Sequence, residues 1–206
     1  MAERYTRPDW VRRLNAMAGA AGSALHLVPL EAGGMIEYAR ETAGIAEFAD
    51  VGDGDWEGRL RAVVDSINAS DLTVVGRLMT RKELRRCRGG LLCLIRERPR
   101  HADVAEEQIV APVVVTGPAR SGTTILFELL ALDDGLRSPI ATDVLHPALP
   151  ASIDAAARRA MTESEQELWA DVQPEFAAIH ELRADLPVEC ITLTAPSFAG
   201  SHWSMV

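Results

Sequence analysis

Apolar residues recur at helical spacing through most of the first hundred positions. Residues 9–20 read as a first helix with Asp9 as its N-cap. A second spans 32–46 and ends near Gly44. Leu60, Val63, Val64 and Ile67 place a third over 56–69. Asp71 caps a fourth, which runs through Leu72, Val75, Leu78 and Met79, and Gly89-Gly90 divides the stretch that follows. The period changes at Val113-Val114-Val115. This short β-branched run sits behind Pro112, is closed by Gly117-Pro118, and reads as a buried strand. Helical spacing resumes from Thr124, in Ile125, Leu129 and Leu132, until Asp133-Asp134-Gly135 stop it. Beyond, 137–140 is a candidate second strand, and Pro139, Pro147 and Pro150 space an extended loop. Ser152 caps a helix over 152–170. Two shorter helices, 174–184 and 187–193, each open on proline.

One junction in this pattern carries chemistry. Between the strand and the helix lies Gly117-Pro118-Ala119-Arg120-Ser121-Gly122-Thr123-Thr124. The first amides of a helix lack intrahelical partners and sit at the positive end of its dipole. Gly117 and Gly122 let the backbone close on a ligand, Ser121, Thr123 and Thr124 add hydroxyl donors, and Arg120 adds a planar cation. The spacing meets the nucleotide P-loop pattern at both glycines and at Thr124, but Thr123 stands where an NTPase needs lysine. Nucleotide kinase or NTPase chemistry is therefore the weaker reading.

Composition narrows the rest. The 206 residues suit one domain, or part of one, and 48% apolar with 25% charged residues places the chain among folded proteins. A net charge of −9 speaks against nucleic acid as a partner, so an anionic ligand needs a local positive site. Cys87, Cys93 and Cys190 make no disulfide framework, which fits a reducing cytoplasm. No histidine pair has zinc spacing, and no metal is expected. Residues 16–30 are fairly apolar behind Arg12 and Arg13, yet Glu3, Asp9 and His26 argue against a signal peptide. No run reaches the ~20 apolar residues of a membrane span. The aspartates at 50, 53 and 55 miss the calcium-loop spacing and read as a turn. Nine basic residues between Arg77 and Arg100 form either a docking face for an acidic group or a solvated helix face.

The loop 118–124 resembles the PRSGTT loop of bacterial PAPS-dependent sulfotransferases, with Ala119 as a departure. Leu136-Arg137-Ser138-Pro139, Asp143, His146-Pro147 and Pro150 resemble that family's next segment, and His180-Glu181 with Leu186-Pro187-Val188-Glu189-Cys190 a later one. Weaker likenesses occur at Ala43-Gly44-Ile45 and Arg98-Pro99-Arg100-His101. The resemblance implies an α/β fold: a P-loop-like sulfotransferase core with an incomplete parallel sheet over 111–206, preceded by a mostly helical region over 1–110. It implies PAPS (3′-phosphoadenosine 5′-phosphosulfate) as donor, gripped by Gly117, Arg120, Ser121, Gly122, Thr123 and Thr124. The acceptor would be a hydroxyl of a small molecule, lipid or glycan. Arg120 would stabilise charge on the leaving phosphate. Asp143 falls where the family carries its base, one methylene shorter and without the preceding tryptophan, and is either that base or a loop-capping residue. His146 and His180 are acceptor-side candidates. The family's 3′-phosphate site uses an arginine and a serine downstream of anything matched here. The expectation is thus an N-terminal part with its C-terminal part missing. The alternatives are a non-catalytic remnant or an anion-binding module.

Overall fold

The computed structural model describes residues 5–43, 54–118, 121–150 and 152–204, and within them the chain is helical. The first half holds α1 (Asp9–Ala21), α2 (Ala24–Leu27), α3 (Ala32–Ala43), α4 (Trp56–Asn68) and α5 (Val74–Glu97). The second holds α6 (Thr123–Leu130), α7 (Ala141–Leu145), α8 (Ala155–Val172), α9 (Pro174–Ala177) and α10 (Ile191–Thr194).

The longest helix, α5, is the spine, with α1, α2 and α3 packed along it. It opens at Thr73, whose extended backbone lets Oγ1 accept the Gly76 amide at 3.1 Å, so the cap is Thr73 and not Asp71. It also runs straight through Gly89-Gly90 for 24 residues, so the expected division is absent. Each glycine costs ~1 kcal/mol against alanine in a helix interior. Leu84, Cys87, Leu92 and Cys93 are buried around the pair, and at ~1.5–3 kcal/mol per large apolar side chain that outweighs the cost. Two further cap assignments change. Pro8 precedes α1, so Asp9 is its first helical residue, and Asp154 caps α8 through the Ala157 amide at 2.8 Å in place of Ser152.

The main core joins Leu30, Ile36, Trp56, Leu60, Val64 and Leu84 with Ala195 and Phe198 from far along the chain. Residues 195–203 are tied down by side-chain bonds to carbonyls. Arg59 Nε donates to Ser197 at 2.8 Å, and Trp203 Nε1 donates to Ala195 at 2.9 Å. Phe198 holds a left-handed φ of 56° while fully enclosed, a conformation that burial must impose on a residue with a Cβ.

The basic run is neither of the two expected faces throughout. Arg77 is buried and donates to the Val28 carbonyl at 2.8 Å and Asn68 Oδ1 at 2.6 Å. Arg88 is also buried, and its three guanidinium nitrogens have no hydrogen-bond partner among the described residues. Burial first, and the nearby Arg85 second, push its pKa down to about 10.

The expected parallel sheet does not form among the described residues. Their only β pairing is an antiparallel bridge between Ile140 and Pro187. Val113-Val114-Val115 stays extended but unpaired, with Val114 78% exposed. A strand is stable only with neighbours on its edges and an apolar layer on its faces, and nothing described here supplies either. The expected proline-spaced loop contains α7. The helix expected over 174–184 ends at Ala177, and the one expected from 187 begins at Ile191.

Candidate functional site

Backbone conformation requires glycine at one position of the loop, and side-chain crowding favours it at the other. Gly122 stands at φ 88° immediately before α6, a conformation that strains any residue with a Cβ. A Cβ on Gly117 would lie 2.7 Å from Ser121 Oγ and 3.1 Å from Thr123 Cγ2. The Ser121 amide donates to the Pro118 carbonyl at 3.2 Å and closes the turn. No side chain caps α6, so its first amides keep their donors. Thr123 and Thr124 are the first two residues of the helix. Ala119 and Arg120 lie outside the described residues.

A second group of functional candidates is built on α7. The family-like segments around 139 and 187 pair with each other. Val188 N donates to the Pro139 carbonyl and Ala141 N to the Leu186 carbonyl, both at 3.0 Å. The Thr142 amide and hydroxyl both donate to the Ala184 carbonyl, at 3.0 and 2.8 Å. This ribbon fixes the start of α7, and Arg86 of α5 donates to the Leu145 carbonyl at its end. Asp143, in the first turn, lies 3.3 Å from Arg158 of α8 and 3.7 Å from Arg137. It does not cap the helix: Ile140 occupies that position without a side-chain bond.

His146 is buried directly after α7, its Nε2 2.9 Å from Glu165 Oε2. Lys82 of α5 reaches the other oxygen of Glu165 at 3.0 Å. Burial alone would raise the Glu165 pKa. The His146 hydrogen bond and the Lys82 ammonium outweigh it and hold the carboxyl below its ordinary range. Sequence reasoning missed Glu165, Lys82 and Arg158. One signal was available: Arg158, Thr162 and Glu165 follow one another at spacings of four and three, a polar stripe on one face of a helix. His180 instead stacks on Phe176 with ring centroids 4.5 Å apart. Among the described residues no hydrogen bond or ion pair joins the loop to Asp143 or His146. Among those residues no cluster of three His, Cys, Asp or Glu is placed to hold a metal, and no helix is long and apolar enough to cross a membrane.

The loop, in which Gly122 opens a helix in a left-handed conformation, is followed by Asp143 in α7 and a buried histidine. Residues 112–206 match the model of the sulfotransferase family. The chain is also similar to two solved structures. Over 84% of its length and 45% of the other it superposes on the sulfotransferase STF9 from Mycobacterium avium, with 25% identity and a TM-score of 0.66. Over 85% of its length and 49% of the other it superposes on the sulfotransferase STF1 from Mycobacterium tuberculosis, with 21% identity and a TM-score of 0.62. Residues 112–206 thus resemble the sulfotransferase family, in a match that covers a little under half of the chain. The chain spans about half the length of the solved structures it matches. No protein of curated function matches it significantly.

Proposed function

We propose that this chain is the donor-loop part of a PAPS-dependent sulfotransferase that acts on a hydroxyl acceptor. The observation that carries the reading is Gly122 at φ 88°, opening α6 with uncapped amides two residues after Arg120. On this reading the amides of Gly122, Thr123 and Thr124 and the hydroxyls of Ser121 and Thr123 hold the 5′-phosphosulfate. Arg120 neutralises charge that grows on the bridging oxygen. The acceptor oxygen attacks sulfur, the bond from sulfur to the phosphate oxygen breaks, and the leaving group is 3′,5′-ADP. Asp143 takes the acceptor proton, and Arg158 and Arg137 fix its carboxylate. His146, held by Glu165, forms the acceptor-side wall. A cytoplasmic setting fits the unpaired cysteines.

A second reading, an anion-binding module without turnover, is favoured by the unpaired 113–115 run beneath the loop. Calorimetric titration of 3′,5′-ADP and of magnesium-ATP, followed by a PAPS turnover assay, separates the two. Both readings expect 3′,5′-ADP to bind and magnesium-ATP not to, and only the first expects turnover. Arg120→Ala should weaken 3′,5′-ADP by about 10- to 150-fold, the equivalent of ~1.5–3 kcal/mol for a charge-assisted bond. Gly122→Ala should weaken it about tenfold through backbone strain of ~1–2 kcal/mol. Unchanged affinity in both variants contradicts the loop assignment.

A further inference from the structure

One face of α8 holds both of the groups assigned to the acceptor side. Arg158 Nη2 donates to the Thr142 carbonyl at 3.0 Å and to Asp143 Oδ1 at 3.3 Å, and Glu165, further along the same face, meets His146 at 2.9 Å. One turn of α5 closes on the same place. Lys82 pairs with Glu165 at 3.0 Å, and Arg86 donates to the Leu145 carbonyl next to His146. The His146 amide donates to the Thr142 carbonyl at 3.4 Å. The imidazole is thus fixed through its backbone and through Nε2, while Nδ1 has no hydrogen-bond partner among the described residues.

The partners decide which ring nitrogen carries the proton. An ionised carboxylate only accepts hydrogen bonds, whereas a protonated one can donate to Nε2 and leave the proton of a neutral ring on Nδ1. The His146 bond and the Lys82 ammonium hold Glu165 in its ionised form against the pull of burial. Nε2 must then be the donor, and in the neutral ring Nδ1 is a bare lone pair. Lys82 also bears on the charge of the ring. A buried carboxylate alone beside an imidazole favours a second proton on the ring, because the pair is then neutral. With Lys82 on the same carboxylate, charge balance is met with His146 uncharged. The other groups nearby balance among themselves. Glu83 pairs with Arg86 and faces His202, and Asp143 pairs with Arg158 and Arg137. Burial pushes the Cys87 thiol up, so it carries no charge.

We infer that Lys82 and Glu165 are positioning residues of the acceptor site: together they keep His146 uncharged with its proton on Nε2, so that Nδ1 is free to accept a hydrogen bond from the acceptor molecule. This rests on the sulfotransferase reading, in which His146 stands on the acceptor side. Asp143 remains the group that takes the proton. Lys82 and Glu165 act through the imidazole and touch no reacting atom.

The test uses the full chain, isotope-labelled at the histidine ring nitrogens, with His146→Gln to assign the signals and circular dichroism to confirm the fold of each variant. The expected result at neutral pH is an uncharged His146 ring with its hydrogen on Nε2. Glu165→Gln moves the midpoint of ring protonation to lower pH, by about tenfold in proton concentration, and Lys82→Met moves it to higher pH. Lys82→Arg restores the unmodified midpoint. A purely structural role changes the melting temperature and leaves the midpoints where they are, and that result overturns the inference. So does a ring that carries hydrogen on Nδ1 at neutral pH. In PAPS turnover with 2-naphthol as the hydroxyl probe, the acid limb of the pH profile moves with the ring midpoint in each variant, while the affinity for 3′,5′-ADP stays unchanged. An acid limb that does not follow the ring takes His146 out of the acceptor site and overturns the inference. Failure of the unmodified chain to bind 3′,5′-ADP overturns the donor reading instead, and binding without turnover overturns the enzyme reading. In either case the ring measurements describe a structural histidine, and the inference falls with the reading.

Discussion

At the scale of single residues, two arginines and one aspartate separate stabilising from functional placement. Arg77 has its donors matched and Arg88 does not. A guanidinium removed from water without partners is a net cost, so Arg88→Met should leave the fold intact and raise its stability by ~1–3 kcal/mol. Urea unfolding measures it. A loss of similar size would mean that Arg88 meets an anion in solution. Asp143 is paired with Arg158 and Arg137, which suits a fixed base and equally a structural link between α7 and α8. Asp143→Asn distinguishes these. A base predicts a fall in kcat of ~10²–10⁴ with little change in 3′,5′-ADP affinity. A link predicts a lower melting temperature and unchanged turnover.

At the scale of elements, what the sequence revealed depended on how local each cause was. The loop glycines were readable because a left-handed φ at Gly122 and a close approach at Gly117 are demands of a few neighbouring atoms. Caps slipped by a residue or two, from Asp71 to Thr73 and from Ser152 to Asp154, because several capping residues stand in a row and packing chooses among them. The continuity of α5 was not readable: Gly89-Gly90 breaks helices in isolation, and only burial of its flanks overrules it. The Glu165–His146 contact joins residues from two elements and was visible only as a polar stripe on α8. The glycine pair gives a clean test. A Cβ at Gly89 or Gly90 meets nothing within 4 Å, so each alanine substitution should stabilise by ~0.5–1 kcal/mol. That raises the melting temperature by ~1–4 °C in a domain of this size. A drop in melting temperature would show that the helix is broken there after all.

For the molecule as a whole, one end is sealed and the other is open. Residues 195–203 complete the core of the first half. By contrast Ile109, Val110, Val113, Val114, Ile125 and Leu129 are all more than 60% exposed, and no residue of α6 is buried. A patch of that kind associates. The expected behaviour is concentration-dependent self-association in sedimentation velocity together with strong binding of an apolar dye, both reduced by the pair Val114→Thr and Leu129→Glu. A monodisperse monomer that does not take up dye would contradict the open face. The strand expectation failed on this same ground, since a β run is completed by its neighbours and not by its own sequence.

The central claim is that the loop over 117–124 holds the 5′-phosphate end of the donor. The most direct test is a titration of isotope-labelled protein with 3′,5′-ADP, following backbone amide shifts. The account predicts saturable shifts at Gly117, Ser121, Gly122, Thr123 and Thr124 that need about 10- to 150-fold more ligand in Arg120→Ala. Shifts confined to the helices of the first half, or saturation without any change in those five amides, would contradict it.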